Sequence, residues 1–244
     1  MSKNSSNPTF RFSGWETHTI EGHSEPMTES GTLWKTLLLF LIMMASFFLT
    51  AKYMVVTELG GFGIMGNIIL VLATLGIVFL ACIKPKMAPF LAPIYAVLEG
   101  VFLGSVIMYS NYILEAFIIT ATIFFTLLFL YRIRIIRVSN GFVKLVFGLT
   151  LGVLVFYLLE ISLISLGITD GSLLLGNGMI ALLIAGFCLF VAVSNLLVDF
   201  RMIENGANYH LPKYMEFFFA MSLMISIVWV YVESLRILSI LSDD

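Results

Sequence analysis

The chain has 244 residues, of which 60% are apolar and only 11% charged, with a net charge of −2. That leaves room for one helical bundle and excludes an appended soluble catalytic domain. No basic patch is interleaved with aromatics, which excludes nucleic acid as a partner.

Residues 1–32 form a polar arm, rich in Ser, Glu and Thr and broken by Pro8 and Pro26. The arm has no short apolar core followed by small residues, so it reads as a weakly ordered cytoplasmic segment and not as a signal peptide. Its aromatics Phe10, Phe12 and Trp15 are candidates for docking on the bundle or the membrane surface.

Residues 33–244 read as the transmembrane domain. Seven apolar stretches follow one another at 33–54, 62–83, 88–109, 112–131, 142–167, 173–200 and 214–241. Each reaches the ~20 residues that cross ~30 Å of hydrocarbon. They lack strict alternation, and a bilayer offers no water to the backbone, so they are expected to be helices. The fold class is therefore all-α, a polytopic membrane protein with seven transmembrane helices.

Eleven of the thirteen Lys and Arg sort to one side of these spans. They are Lys3, Arg11 and Lys35 at the start, Lys84 and Lys86 after span two, Arg132, Arg134, Arg137 and Lys144 after span four, and Arg201 and Lys213 after span six. Positive charge is retained in the cytoplasm, so the N-terminus is expected there and the C-terminus outside, in a bacterial inner membrane.

Glycine and proline punctuate the connections: Gly60, Gly61 and Gly63, Pro85 and Pro89, Ser139-Asn140-Gly141, and Asp170-Gly171. Pro93 falls in the first turns of the third span, where a missing N–H costs least. Gly100 and Gly104, four apart, allow a neighbouring helix to approach closely. Cys82 and Cys188 lie within spans and read as small core residues. The three histidines, His18, His23 and His210, sit in polar segments without ligand spacing, so no metal site is expected.

Carboxylates inside the bilayer carry the functional signal. Glu99 is near the middle of span three, Glu160 in the outer half of span five, and Glu233 in the outer half of span seven. Asp199 closes span six and Glu216 opens span seven, while Glu115 lies just inside the outer end of span four. A central acid costs up to ~3 kcal/mol on an insertion scale, so such groups face the protein interior, a partner or a wet cavity. An array of anionic oxygens suits a proton or a hard cation such as Ca²⁺. The competing assignment is neutralisation: Arg236 lies one turn from Glu233, and Arg201 and Lys213 flank Asp199 and Glu216. Glu115 is placed to snorkel to the outer interface.

A loop over about 204–212 would leave Asp199 and Glu216 at matched depth on an antiparallel hairpin. Two carboxyls in contact hold one proton between them, so this pair is a candidate pH sensor at the cytoplasmic mouth.

With Ser6-Asn7-Pro8, Met27-Thr28, Gly31-Thr32 and Lys35-Thr36 near its start, which resemble the bacterial branch with a longer arm, and with further motifs from the third span onward, the chain resembles the Bax inhibitor family, the transmembrane Bax inhibitor motif proteins. The residues are Ala92-Pro93-Ile94-Tyr95-Ala96-Val97-Leu98-Glu99-Gly100 with Leu103-Gly104, and Tyr112-Ile113-Leu114-Glu115-Ala116-Phe117. The hairpin adds Val198-Asp199-Phe200-Arg201-Met202-Ile203-Glu204 and Pro212-Lys213-Tyr214-Met215-Glu216, and the last span ends Glu233-Ser234-Leu235-Arg236. The resemblance implies a central seventh helix wrapped by six others. It also implies a pH-sensitive Ca²⁺ leak, gated by acids on helices six and seven. Asp199 matches the sixth-helix acid, whereas Ser226 stands where the second acid is expected. Glu216 is the candidate displaced partner, with Glu99, Glu160 and Glu233 as contacts along the ion path.

The implied protein is not an enzyme and needs no cofactor, Ca²⁺ or H⁺ being cargo. The alternative is a non-transporting membrane protein that modulates a membrane protease or a stress-response partner, with the arm as its handle. Intramembrane hydrolysis fits poorly, because no His lies in any span and there is no Gly-x-Gly-Asp element.

Overall fold

Deprived of water, a backbone bonds to itself, and among the described residues seven segments do so as α-helices. They are α1 Glu29–Val56, α2 Gly63–Ile83, α3 Ala88–Val106, α4 Ile113–Arg132, α5 Asn140–Ser165, α6 Met179–Asn208 and α7 Met215–Ser242, with a short 3₁₀ turn Pro85–Met87 before α3. All seven are long and apolar enough to cross a membrane. The computed structural model describes residues 25–56, 62–106, 112–169 and 178–242, with 171, 173 and 176 between. Phe10, Phe12 and Trp15 of the arm, the Gly60-Gly61 turn and Asp170 lie outside these residues.

Two boundaries differ from the hydropathy reading. The first helix starts at Glu29, within the stretch assigned to the polar arm. The sixth starts at Met179 and runs on to Asn208, well past the last apolar residues. Hydropathy marks where hydrocarbon contact stops, whereas the hydrogen-bond ladder continues until something breaks it. Val198–Ile203 contains no Gly or Pro, so charged residues are simply carried along the same helix. The break comes as a Schellman turn: the Leu211 amide donates to the Gly206 carbonyl (3.1 Å) and the His210 amide to Ala207 (3.0 Å). His210 takes the left-handed position, at φ 54°, where glycine is the usual residue.

Other ends are capped as their sequences suggest. The Ser139 hydroxyl accepts from the Phe142 amide at 3.1 Å and opens α5. The Thr28 hydroxyl accepts from the Gly31 amide at 2.9 Å and opens α1.

The helices group into two compact units. The first holds α1, α2, the 3₁₀ turn and α3, with the end of α6 from Arg201 and the start of α7 to Met224. Its tightest packing is α1 on α3. A Cβ at Gly100 would lie 2.3 Å from the Met43 carbonyl oxygen, and one at Gly104 would lie 2.7 Å from that of Phe47. Only glycine allows this approach, and the Ser46 hydroxyl then donates to the Val97 carbonyl at 2.9 Å. In this unit Pro26 forms an antiparallel bridge with Pro212. The segment before α1 and the loop after α6 therefore lie on one side, as six intervening helices require.

The second unit holds α4, α5, α6 to Phe200, and α7 from Ile225. Here the rings of Phe124 and Tyr131 on α4 pack against Phe200 on α6, with centroids 5.8 and 5.7 Å apart. The Asn195 amide on α6 donates to Thr150 on α5 at 2.8 Å. Large apolar side chains such as Phe79, Phe90, Phe125 and Phe147 are exposed, as lipid-facing positions must be. Burial peaks in the last helix: 56% of its apolar window is buried, against 11% for α2, α4 and α5.

Candidate functional site

Four polar residues of α7 in the second unit lie on one side of the helix. Ser226, Trp229, Glu233 and Arg236 recur at spacings of three and four, which a 3.6-residue period aligns. At the first level, the Ser226 hydroxyl donates to Asp199 Oδ2 on α6 at 2.5 Å. Both side chains are buried.

Seven residues further along, about 10 Å at 1.5 Å per residue, lies Glu233. It is 2% exposed. Its Oε1 accepts from the Tyr157 hydroxyl on α5 and from Trp229 Nε1 at 3.3 Å. Arg236 NH1 stands 3.6 Å from Glu233 Oε2, and Arg236 NH2 donates to the Leu173 carbonyl at 2.9 Å. Four buried atoms at this level, Glu233 Oε2, Ser234 Oγ and Arg236 Nε and NH1, have no hydrogen-bond partner among the described residues. Such groups are costly to leave dry and suit water or a passing ion. Glu160 is also buried, on α5 one turn beyond Tyr157.

In the first unit, Glu216 is buried and wholly committed. It ion-pairs with Lys35 of α1, and its Oε1 accepts from the Thr28 amide at 2.9 Å and the Thr28 hydroxyl at 3.2 Å. Glu99 is half-buried on α3, one turn beyond the buried Tyr95. Lys213 pairs with Glu25, both side chains being exposed. That pairing, by hydrogen bond and charge, holds the Glu25 carboxyl below its usual range and the Lys213 ammonium above its own.

The expected Asp199–Glu216 sensor pair is therefore corrected. With α6 extended to Asn208 and α7 begun at Met215, Asp199 is nine residues inside its helix and Glu216 one. The matched depth disappears, and each acid has another partner. Lys213 likewise serves Glu25, whereas the Glu233–Arg236 pair forms as the i,i+3 spacing suggests. Glu115 is exposed in the first turn of α4. Arg201 is half-buried on α6.

Tyr157, Trp229, Thr28 and Lys35 were not among the site candidates. Tyr157 carries a legible signal, a phenol in an otherwise apolar run. Lys35 was legible only as a topological charge, because nothing local marks it as the partner of a residue 181 positions away.

The seven spans, and Ser226 set against Asp199, now stand beside one comparison. A family model described as Bax inhibitor 1 like matches residues 7–243. The chain belongs to that family. No curated protein and no solved structure gives a match. The Bax inhibitor 1 like match begins inside the arm, so the family pattern takes in part of the arm as well as the seven helices.

Proposed function

We propose that the protein is a pH-sensitive cation leak, for Ca²⁺ in the first instance, of a bacterial inner membrane. What supports this is two acids at successive levels of one α7 face, Asp199 held by Ser226 and Glu233 held by Tyr157. Their hydroxyl donors orient the carboxylates, and Glu233 Oε2, with Arg236 NH1 at 3.6 Å and no hydrogen-bond partner among the described residues, is the oxygen that would attract a cation. Among the described residues no three His, Cys, Asp or Glu side chains converge. A cation would therefore meet one or two carboxylates at a time, too few for the six to eight oxygens of a tight Ca²⁺ site and suited to passage.

Asp199 is the gating acid in this reading, with Glu233 and the buried Glu160 along the path and Glu99 as a further contact. Ser226 cannot share a proton as a second carboxyl would, so in this reading the proton that closes the gate sits on Asp199. In this reading the segment before α1 is cytoplasmic, because the excess of Lys and Arg in alternate connections marks that side.

The test is Ca²⁺ uptake into proteoliposomes, comparing the native chain with Glu233→Gln and Asp199→Asn. Uptake by the native chain, reduced severalfold in both variants, is expected. No uptake by any of the three would favour the non-transporting, partner-modulating role.

A further inference from the structure

The strongest feature outside the acid face of α7 lies at the other end of that helix, where a carboxylate from α7 completes the first turn of α1. In a capping box, the N-cap oxygen takes the N3 amide and an N3 Glu or Gln reaches back to the N-cap amide. Thr28 performs the first half here, accepting from Gly31 at 2.9 Å. Gly31 has no side chain for the second half. Glu216 supplies it from α7, accepting from the Thr28 amide at 2.9 Å. The glycine is what admits it, since a Cβ at Gly31 would lie 2.3 Å from Glu216 Oε1. Lys35, one turn further along α1, ion-pairs with the other oxygen and lies 4.9 Å over the Phe217 ring. Thus, among the described residues, each hydrogen bond and ion pair of the buried Glu216 carboxylate comes from α1 or its cap.

The strand leading into this cap is different in kind. Its hold on the loop is two backbone bonds, Met27 N–H to Leu211 O at 2.7 Å and Lys213 N–H to Glu25 O at 3.1 Å, plus the exposed Glu25–Lys213 pair. Pro26 and Pro212 face each other between those bonds. Neither has an N–H, so no further strand is recruited. Met27 is buried, and its sulfur would lie 2.8 Å from a Cβ at Gly206. The outer end is open to water, while the inner end is locked by a buried ion.

We propose that Glu25–Thr28 is a latch on the α6–α7 loop, keyed by Glu216, through which the preceding arm controls the first turns of α7. Undocking the strand strips Glu216 of both Thr28 donors and leaves Lys35 as its partner, and a buried carboxylate that loses donors is destabilised. Release of strand and cap therefore weakens the hold on the start of α7, with the Lys35 pair as the last tie. A pull on the arm, such as a bound partner exerts, opens the strand from its exposed end. The latch does not depend on any cation passing through the protein.

The experiment is disulfide trapping in the full chain, reconstituted in lipid nanodiscs, with Pro26→Cys and Pro212→Cys introduced together. A non-hydrogen-bonded antiparallel pair sets Cα atoms ~4.5 Å apart, within disulfide reach. Under mild oxidation the cross-link is expected to form, and to form at least tenfold more slowly with Glu216→Gln or with Lys35→Met. Lys35→Met leaves the capping bonds in place and serves should Glu216→Gln fail to fold. With the disulfide closed, amide exchange over 213–220 should be at least tenfold slower than with it reduced. Failure to cross-link, a rate indifferent to both variants, or exchange unchanged by closure would each overturn the latch.

Discussion

Ser226 donates its hydroxyl proton to the Asp199 carboxylate at 2.5 Å, α7 to α6, with both side chains buried. A hydroxyl donor orients a carboxylate but cannot take turns with it in holding a proton. Ser226→Asp restores a second acid at that contact, and two touching carboxyls hold one proton between them. Ca²⁺ uptake by this variant should fall more steeply than the native uptake between pH 8 and pH 6. Identical profiles would show that the two side chains do not act as a pair.

Tyr157→Phe removes one donor to Glu233 Oε1 and leaves Trp229 at 3.3 Å as the remaining one. Losing a hydrogen bond to a buried charged group costs about 1.5–3 kcal/mol. The variant should therefore melt earlier in detergent than the native chain, and Trp229→Phe should melt earlier by less. A Tyr157→Phe midpoint equal to the native one would mean that the phenol contributes nothing.

Gly100→Val tests the α1–α3 contact. Its branched side chain would have to enter space where even a Cβ meets the Met43 carbonyl at 2.3 Å, and backbone cannot rotate away. Overpacking of this kind costs about 1–3 kcal/mol or more. Gly148→Val, with nothing within 4 Å of its Cβ position, is the control and should lose far less. Thermal midpoints of the two variants decide the matter.

The Glu25–Lys213 pair makes a pH prediction with a definite sign. The Glu25 carboxyl is held below its ordinary 4.5, so the pair's stabilisation is present above that value and lost as pH falls through the lowered one. The Lys213 ammonium is held above its ordinary 10.5, so the contribution is present below that value and lost as pH rises through the raised one. Between the two, it is flat. The midpoint difference between the native chain and Glu25→Gln should thus be constant near neutrality and vanish in strong acid. Salt should shrink it, since both side chains are exposed. A difference that grows on acidification would reverse the assignment.

Much of this was legible in the residues, for identifiable reasons. Hydrocarbon thickness sets the length of a span, so seven apolar runs gave seven helices with most ends within a few residues. Gly100 and Gly104 announced close packing because absent side chains leave few other uses for that spacing. Ser226 and Glu233 are seven residues apart, a spacing that puts both on one face of any helix. The Glu216 partnership was hidden, because a carboxylate next to a loop is equally compatible with any nearby cation. Its true partner depends on where α1 begins, and hydropathy put that start after Thr28, the very residue that caps it. The end of α6 was missed for the same cause, since Asp199, Arg201 and Glu204 look like a loop to hydropathy and like any helix to the backbone.

The most direct measurement is the pH profile of Ca²⁺ uptake into proteoliposomes for the native chain and for Asp199→Asn, read from pH 6 to pH 8. If the sixth-helix acid is the gate, the native chain admits less Ca²⁺ as the medium is acidified, and Asp199→Asn abolishes that dependence while its thermal midpoint stays near the native one. Uptake whose pH profile survives the substitution unchanged would contradict it.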